Sequence, residues 1–236
     1  RRRAPAQLVQ TVCELCARRL PQNMHIPAGE IQVISPTRKG ETGTANLNRA
    51  LQAALNPAGM GRREKRFGDL VFREGDRVMQ TRNDYDVVWQ KADGTAGTGI
   101  FNGDVGTVED IDPSGELITI QFDDRTCVYT ADLLNQLDMA YAMTVHKAQG
   151  SEYRAVILAA LDGAPMLLTR GVLYTAITRA RSLFIVVGEE SVVARMVALV
   201  GDDVAPGQMA ANDRQQRRYS GLRRRLREEA ANHGME

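Results

Sequence analysis

Apolar positions divide the chain into three stretches of two textures. Near the start, Leu8, Val12, Leu15 and Leu20 recur at close to helical intervals, which predicts an amphipathic helix over residues 6–20 that Pro21 stops. Ile31-Gln32-Val33-Ile34 is a short apolar run of the buried-strand kind. It leads into the polar loop Ser35-Pro36-Thr37-Arg38-Lys39-Gly40, whose proline cannot extend a central strand. Leu47, Leu51 and Leu55 are spaced by four and predict a helix from about Thr44 to Leu55, closed by Asn56-Pro57.

From about Gly68 the spacing changes to short alternating runs separated by turn residues, the pattern of an all-β module. Candidate strands are Asp76 to Gln80, Val105 to Ile111, Leu117 to Phe122 and Thr126 to Tyr129, an arrangement expected to form a small barrel-like meander. In the third of these, Ile118, Ile120 and Phe122 share one face while Thr119 and Gln121 take the other. Ala92 to Gly99, rich in Gly and Thr, reads as a hairpin tip.

After about Leu137 the first texture returns. Arg154 to Leu158 and Leu183 to Gly188 are continuous apolar runs, as in parallel strands buried on both faces, and Val172 to Arg181 between them reads as a helix. The pieces flanking the β module are each too short to close a sheet alone, so the expectation is a discontinuous α/β domain interrupted by an insertion. Its divisions are residues 1–67, an inserted 68–136, the remainder 137–200, and a basic tail over 201–236. No internal repeat is visible.

Composition narrows the class only slightly. Hydrophobic content of 43% and charged content of 25% are those of an ordinary globular protein. No apolar run is long enough to span a bilayer and no signal peptide is visible, so a soluble, cytoplasmic protein without a membrane partner is expected. A chain that starts at Arg1 reads as an internal piece of a longer protein. The net charge of +1 is uninformative, but seven arginines fall between Arg214 and Arg227 with no acid among them. That stretch is either a solvated tail, the plainer reading, or a nucleic-acid arm. The three cysteines, Cys13, Cys16 and Cys127, are too few for a disulfide framework. Cys13 and Cys16 have redox-motif spacing but lie in a helical pattern, and the structural reading is preferred; no metal site is expected.

Two stretches carry candidate chemistry. Met139 to Glu152 is an apolar run ending in hydroxyl, imidazole and ammonium groups (Thr144, His146, Lys147) and then Gln149-Gly150. Such a cluster suits the junction of a strand with a helix N-terminus, where phosphate oxygens are favoured, although His146 alone would more often be structural. The second stretch, Val172 to Arg181, places Arg179 and Arg181 two apart on the expected helix, so that one reaches a ligand while the other faces solvent. A guanidinium offers a permanent charge and a planar fork of donors suited to a phosphoryl group. Taken bare, the string is most often a solvated helical face.

In series these stretches resemble a known family. Thr144-Val145-His146-Lys147-Ala148-Gln149-Gly150-Ser151-Glu152 is similar to motif V of RecD-like superfamily 1 helicases, and Tyr174-Thr175-Ala176-Ile177-Thr178-Arg179-Ala180 to their motif VI. Ser35 to Gly40 followed by Gly43 to Asn48 resembles their motif IV region. Phe101-Asn102-Gly103-Asp104-Val105-Gly106 resembles the entry to the SH3-like module these helicases insert in their second RecA-like domain. The resemblance implies a RecA-like (P-loop NTPase-like) parallel sheet with an inserted SH3-like barrel. It also implies the C-terminal motor half of an ATP-dependent 5′ to 3′ DNA helicase acting in recombination and repair.

Position by position, the resemblance implies that Arg179 is an arginine finger on the ATP γ-phosphate, with Arg38 a second catalytic cation unless its neighbour Lys39 reaches instead. Gln149, Gly150 and Glu152 would border the nucleotide, Glu152 near the ribose. Thr144, His146 and Thr37 would hold phosphates of single-stranded DNA. The implied partners are that strand, the protein's own N-terminal RecA-like domain and, as an open alternative, RecBC-like subunits. The Gly-x-x-x-x-Gly-Lys-Ser/Thr loop of these enzymes is absent from the chain, so ATP and its Mg²⁺ would be bound through the other RecA-like domain and this segment alone is expected to be inactive. Two rivals stand beside this reading: the helicase half of a conjugative relaxase, and a non-catalytic DNA-binding scaffold derived from a helicase. No clustered acids with a partnering lysine support a nuclease.

Overall fold

The computed structural model describes residues 5–59, 61–161 and 167–198. The arginine-rich stretch from Arg214 to Arg227 lies outside them.

The chain opens with α1 (Pro5–Glu14), a π-helical turn (Leu15–Arg19) and α2 (Leu20–Met24), which together form one helical rod. The expectation that Pro21 stops this helix is overturned. Pro21 falls in the first turn of α2, where a missing N–H costs nothing, and the widened turn before it absorbs the ring. The rod ends instead at His25, whose φ of 52° is left-handed. Cys13 and Cys16 are free on this rod, and burial pushes the Cys16 thiol up to about 12, so neither is poised for redox chemistry.

β1 (Ile31–Ser35) and α3 (Thr44–Leu55) follow as expected, with Leu47 and Leu51 buried. The remaining α/β elements are β11 (Ala142–Thr144), β12 (Tyr153–Ala160), α4 (Arg170–Ile177), β13 (Ala180–Gly188) and α5 (Glu190–Ala198). Their four strands form one sheet in the order β11-β1-β12-β13, every neighbouring pair parallel. Both faces are covered. Ala155 and Ile157 of β12 join the core containing Leu8 and Val12 of α1 and Leu47 and Leu51 of α3. The alternate residues Val156 and Leu158 join Leu173 and Ala176 of α4 and Val192 and Met196 of α5. Two-sided burial is why the β12 sequence is a nearly continuous apolar run.

Between α3 and β11 lies the second architecture. A hairpin of β2 (Glu64–Phe67) and β3 (Leu70–Arg73) precedes a seven-stranded sheet. That sheet is made of β4 (Arg77–Gln80), β5 (Asp84–Gln90), β6 (Ala96–Ile100), β7 (Val105–Ile111), β8 (Leu117–Phe122), β9 (Arg125–Thr130) and β10 (Leu137–Met139). Its order is β10-β4-β7-β8-β9-β5-β6, antiparallel throughout. Ile118, Ile120 and Phe122 are buried as their alternation predicts. The stretch read as a hairpin tip is tip only as far as Thr95, and Ala96–Ile100 pairs with β5 as β6. The β2–β3 hairpin straddles residues 67 and 68, and β10 keeps 137–139 on the antiparallel sheet.

Buried polar groups lock the two sheets together. Asp76, fully buried, accepts hydrogen bonds from Asn56 Nδ2 (2.7 Å), Gln52 Nε2 (2.5 Å), Tyr141 Oη (2.9 Å) and the Arg73 backbone N–H (2.8 Å). Burial raises its carboxyl above the usual range, partly offset by these donors. The Asn48 side chain donates to the carbonyls of Met139 (3.1 Å) and Ala142 (2.9 Å) and accepts from the Ala142 N–H (2.7 Å), fixing the passage from one sheet to the other. Arg77 of β4 donates to the carbonyls of Gly29 and Ile31 and stacks over the Tyr153 ring at 5.5 Å. A loop-borne graft needs such ties, because a buried polar group left without a partner would cost about 1–3 kcal/mol.

Candidate nucleotide and nucleic-acid site

The candidate residues fall at two ends of the parallel sheet. The register pairs Ile34 with Leu158 and Tyr153 with Ala180, so the end of β1 and the start of β12 are separated by about 20 Å along the strands. One segment, residues 145–152, joins the ends: it leaves the C-terminal end of β11 and enters the N-terminal end of β12.

At the N-terminal end of the sheet, Arg179 lies in the turn between α4 and β13. The expected helix over Val172 to Arg181 is shorter than read: α4 stops at Ile177, Thr178 caps it, and Arg181 already belongs to β13. Sheet pairing decides this, because the Tyr153 N–H donates to the Arg179 carbonyl at 2.8 Å and draws the chain into register with β12. The Arg179 guanidinium is half-buried. Its Nη1 donates to the Ser151 carbonyl (3.1 Å) and its Nη2 to Thr178 Oγ1 (3.4 Å), while the buried Nε has no hydrogen-bond partner. Arg179 is therefore seated on the segment that carries Gln149, Gly150 and Glu152, all three exposed. Gly150 sits at φ +91°, a conformation that other residues rarely adopt, with open space around it. Glu152 Oε2 receives Arg181 Nε at 3.0 Å. A cleft of about 760 Å³ opens beside this end, with Ser151, Glu152 and Arg181 among its lining together with Arg77 of β4 and Asp104 of the turn before β7.

At the C-terminal end, Ser35 and Thr144 are register partners, so the two loops that leave β1 and β11 start side by side. Ser35 Oγ donates toward the carbonyls of Thr37 (3.2 Å) and Thr42 (2.8 Å), and curls the loop back. The N–H groups of Thr44 and Ala45 donate to the carbonyls of Thr37 and Arg38. Gly43 makes the fold-back possible, since a Cβ there would stand 2.4 Å from the Lys39 carbonyl oxygen. Thr37 and Thr144 are half-buried, and Arg38, Lys39 and His146 are exposed. The expected helix after Thr144 does not form. Residues 145–150 are a run of turns held by Ala148 N–H to Thr144 O (3.1 Å) and Gln149 N–H to His146 O (3.3 Å), so no α-helical dipole acts here.

Arg38 is not brought to Arg179. Its guanidinium lies 3.5 Å from Asp138 Oδ2, the same oxygen that Lys147 Nζ approaches at 3.4 Å. The sequence pattern placed Lys147 in the phosphate-suited cluster without a role of its own, and did not point to Asp138 at all. The signal available for both was a lone acid, Asp138, standing before the basic motif. Among the described residues, no three His, Cys, Asp or Glu side chains gather as metal donors.

A parallel sheet layered between helices and interrupted by an antiparallel insertion, with a guanidinium at one end of its strands and a hydroxyl-and-cation cluster at the other, is an α/β fold of the RecA-like helicase kind. Residues 47–122 match the family of the ATP-dependent RecD-like DNA helicase SH3 domain, and residues 139–187 that of the UvrD-like helicase C-terminal domain. The chain belongs to the RecD-like superfamily 1 helicases.

It is 38% identical over 163 residues to an ATP-dependent RecD2 DNA helicase of Deinococcus radiodurans, covering 69% of this chain and 21% of that protein. To the RecBCD enzyme subunit RecD of Mycolicibacterium smegmatis it is 32% identical over 198 residues, covering 84% of this chain and 29% of the relative. The chain thus spans less than a third of the length of these relatives. A solved structure of the Pif1 helicase from Bacteroides in complex with ADP-AlF3 and ssDNA aligns at 19% identity and a TM-score of 0.47, over 81% of this chain and 47% of that one.

Proposed function

We propose that this chain is the second RecA-like motor domain of an ATP-dependent DNA helicase, with residues 1–67 and 137–200 forming that domain apart from β2 and β10, whose strands pair within the antiparallel architecture. Residues 68–136 are then its inserted SH3-like module and 201–236 a basic extension. The carrying observation is the single segment 145–152, which starts at the phosphate-suited cluster on one end of the sheet and finishes under Arg179 on the other. A motor needs that link: what happens to nucleotide at one end must change the hold on the strand at the other.

In this reading Arg179 reaches the γ-phosphate of an ATP bound, with its Mg²⁺, by a preceding RecA-like domain. The half-exposed guanidinium, with one Nη hydrogen on the Ser151 carbonyl and one on Thr178 Oγ1, has Nη hydrogens left for an anionic acceptor arriving from outside the chain. Bound ATP supplies the free energy of phosphoryl transfer. Arg179 contributes a fixed positive charge held by Ser151 and Thr178, while Gln149, Gly150 and Glu152 border the nucleotide. Thr37, Thr144 and His146 hold single-stranded DNA phosphates. Arg38 joins them together with Lys147, instead of acting beside Arg179, because its loop leaves the opposite end of the sheet. The 5′ to 3′ polarity, the recombination and repair role and RecBC-like partners come from the family resemblance. Without a phosphate-binding loop the segment by itself turns over no ATP.

The test is a pair of variants in the full-length protein. Arg179→Ala is expected to abolish DNA-stimulated ATP hydrolysis and leave strand binding in place, whereas Thr144→Val with His146→Ala is expected to weaken strand binding. Normal ATPase activity in Arg179→Ala would refute the assignment.

A further inference from the structure

One acidic group stands inside the basic end. Asp138 is carried on β10, opposite Met79 of β4, and so belongs to the antiparallel sheet. Its Oδ1 accepts from the neighbouring Met139 N–H at 3.0 Å, which orients the carboxylate. Its Oδ2 faces outward to two cations from two different loops, Arg38 at 3.5 Å and Lys147 at 3.4 Å. Both separations are long for charge-assisted hydrogen bonds, which run at about 2.7–2.9 Å, so neither cation is saturated. The Arg38 side chain is 71% exposed and that of Lys147 32%, against 23% for Asp138.

We propose that Asp138 is a built-in competitor of the DNA backbone: a positioning residue that parks Arg38 and Lys147 between encounters and weakens the grip on phosphate so that the strand can be released. The inference rests on the strand-binding role given above to this end of the sheet. A carboxylate and a phosphate are both anionic acceptors, and an exposed ion pair is weak enough for either to displace the other. When phosphate takes the two cations, the negative charge of Asp138 remains inside the footprint and opposes the bound strand. A grip made only of cations would bind more tightly and release more slowly, which a translocating motor must avoid. Because Asp138 rides on the antiparallel sheet while Arg38 and Lys147 ride on loops of the parallel one, any shift between the sheets alters the competition.

The experiment titrates a fluorescent oligothymidine with the full-length protein across a series of salt concentrations, for wild type, Asp138→Asn, Asp138→Ser and Lys147→Gln. Asp138→Asn and Asp138→Ser are expected to bind on the order of 3- to 10-fold more tightly at low salt. Their log affinity should fall more steeply with log salt, by up to about one for each freed cation. The DNA concentration that half-stimulates ATP hydrolysis should drop. Lys147→Gln is expected to weaken binding, and by a larger factor relative to its parent when introduced into Asp138→Asn, where the lysine is no longer held by the acid. A merely structural Asp138 would leave the salt slope unmoved in whichever variant folds. Unchanged or weaker binding in a folded Asp138 variant overturns the proposal. Should Thr144→Val with His146→Ala also leave affinity untouched, the strand-binding role itself fails; should that pair weaken binding while Asp138→Asn does not tighten it, only the competitor fails.

Discussion

The two ends of the parallel sheet hold their arginines in opposite ways. Arg179 is half-buried and its guanidinium is seated on a main-chain carbonyl and a threonine hydroxyl, with no carboxylate among its hydrogen-bond partners. Arg38 is largely exposed and meets a carboxylate that it shares with Lys147. A fixed, unneutralised charge suits a role in which a bound group must find its counter-charge already in place. An exposed charge on a shared acid suits a contact made and broken repeatedly. The same residue type is thus made rigid or exchangeable by its neighbours.

The largest effect expected from this contrast is on turnover. Arg179→Ala in the full-length protein should lower DNA-stimulated ATP hydrolysis by about 10³- to 10⁵-fold. Arg179→Lys should rescue little of it, because an ammonium cannot span Ser151 and Thr178 and still reach outward. Recovery of activity by the lysine would mean that charge alone matters and that the fixed fork does not.

Next in size is the lock between the sheets. Asp76→Ala leaves four donors facing an empty site and should destabilise the protein by about 3 kcal/mol or more in a denaturant melt. Asp76→Asn keeps the volume but turns an amide N–H₂ toward donors, and should also destabilise. A neutral outcome for both would show that the antiparallel sheet is held elsewhere, by Arg77 and Asn48.

A smaller effect should separate the ends cleanly. Gly43→Ala drives a methyl group into the Arg38–Lys39 backbone and should shift that loop, at a cost of about 1–3 kcal/mol. Strand affinity should fall, while nucleotide affinity, read by titration with a fluorescent ATP analogue, should hold. Loss of both together would dissolve the distinction between the ends.

The smallest expected effect is an acid-limb control far from either end. Asp112 is held down to about 2 by the Ser114 side chain and the N–H groups of Leu117, Ser114 and Glu116. A lowered carboxyl contributes stability that is present above its unfolded value of about 4 and is lost as pH falls through its folded value. Thermal melts between about pH 4 and pH 2 should therefore fall less steeply for Asp112→Asn than for wild type, with no change in either site at neutral pH. The buried Asp76 has the opposite sign: its raised carboxyl favours the folded state at low pH and loses that contribution as pH rises through its folded value.

Local pattern was enough for α3, for β7 and β8, and for the apolar run of β12, because each has a pattern that one packing environment demands, whereas β13, read as a strand buried on both faces, lies at the sheet edge with Leu183 to Val186 only half-buried. It was not enough for Pro21, where a change of helical winding accommodates the ring, or for residues 145–150 and 177–181, where sheet register overrides helix propensity. The candidate site divides the same way. The family resemblance, carried by residue types and their order along the chain, singled out Thr144, His146, Gln149, Gly150, Glu152 and Arg179 as candidates.

What the sequence determines by itself is therefore the inventory: two textures, one interrupted by the other, and a motif series that names a family, since periodicity and spacing are properties of neighbours along the chain. Which cation faces which acceptor was decided only by tertiary structure. Asp138 meets Arg38 across 100 residues, and Arg179 meets Ser151 across 28, because parallel strand register and the crossing between two sheets bring them together. Long-range electrostatic pairing leaves no period in a sequence, and so no local pattern could announce it.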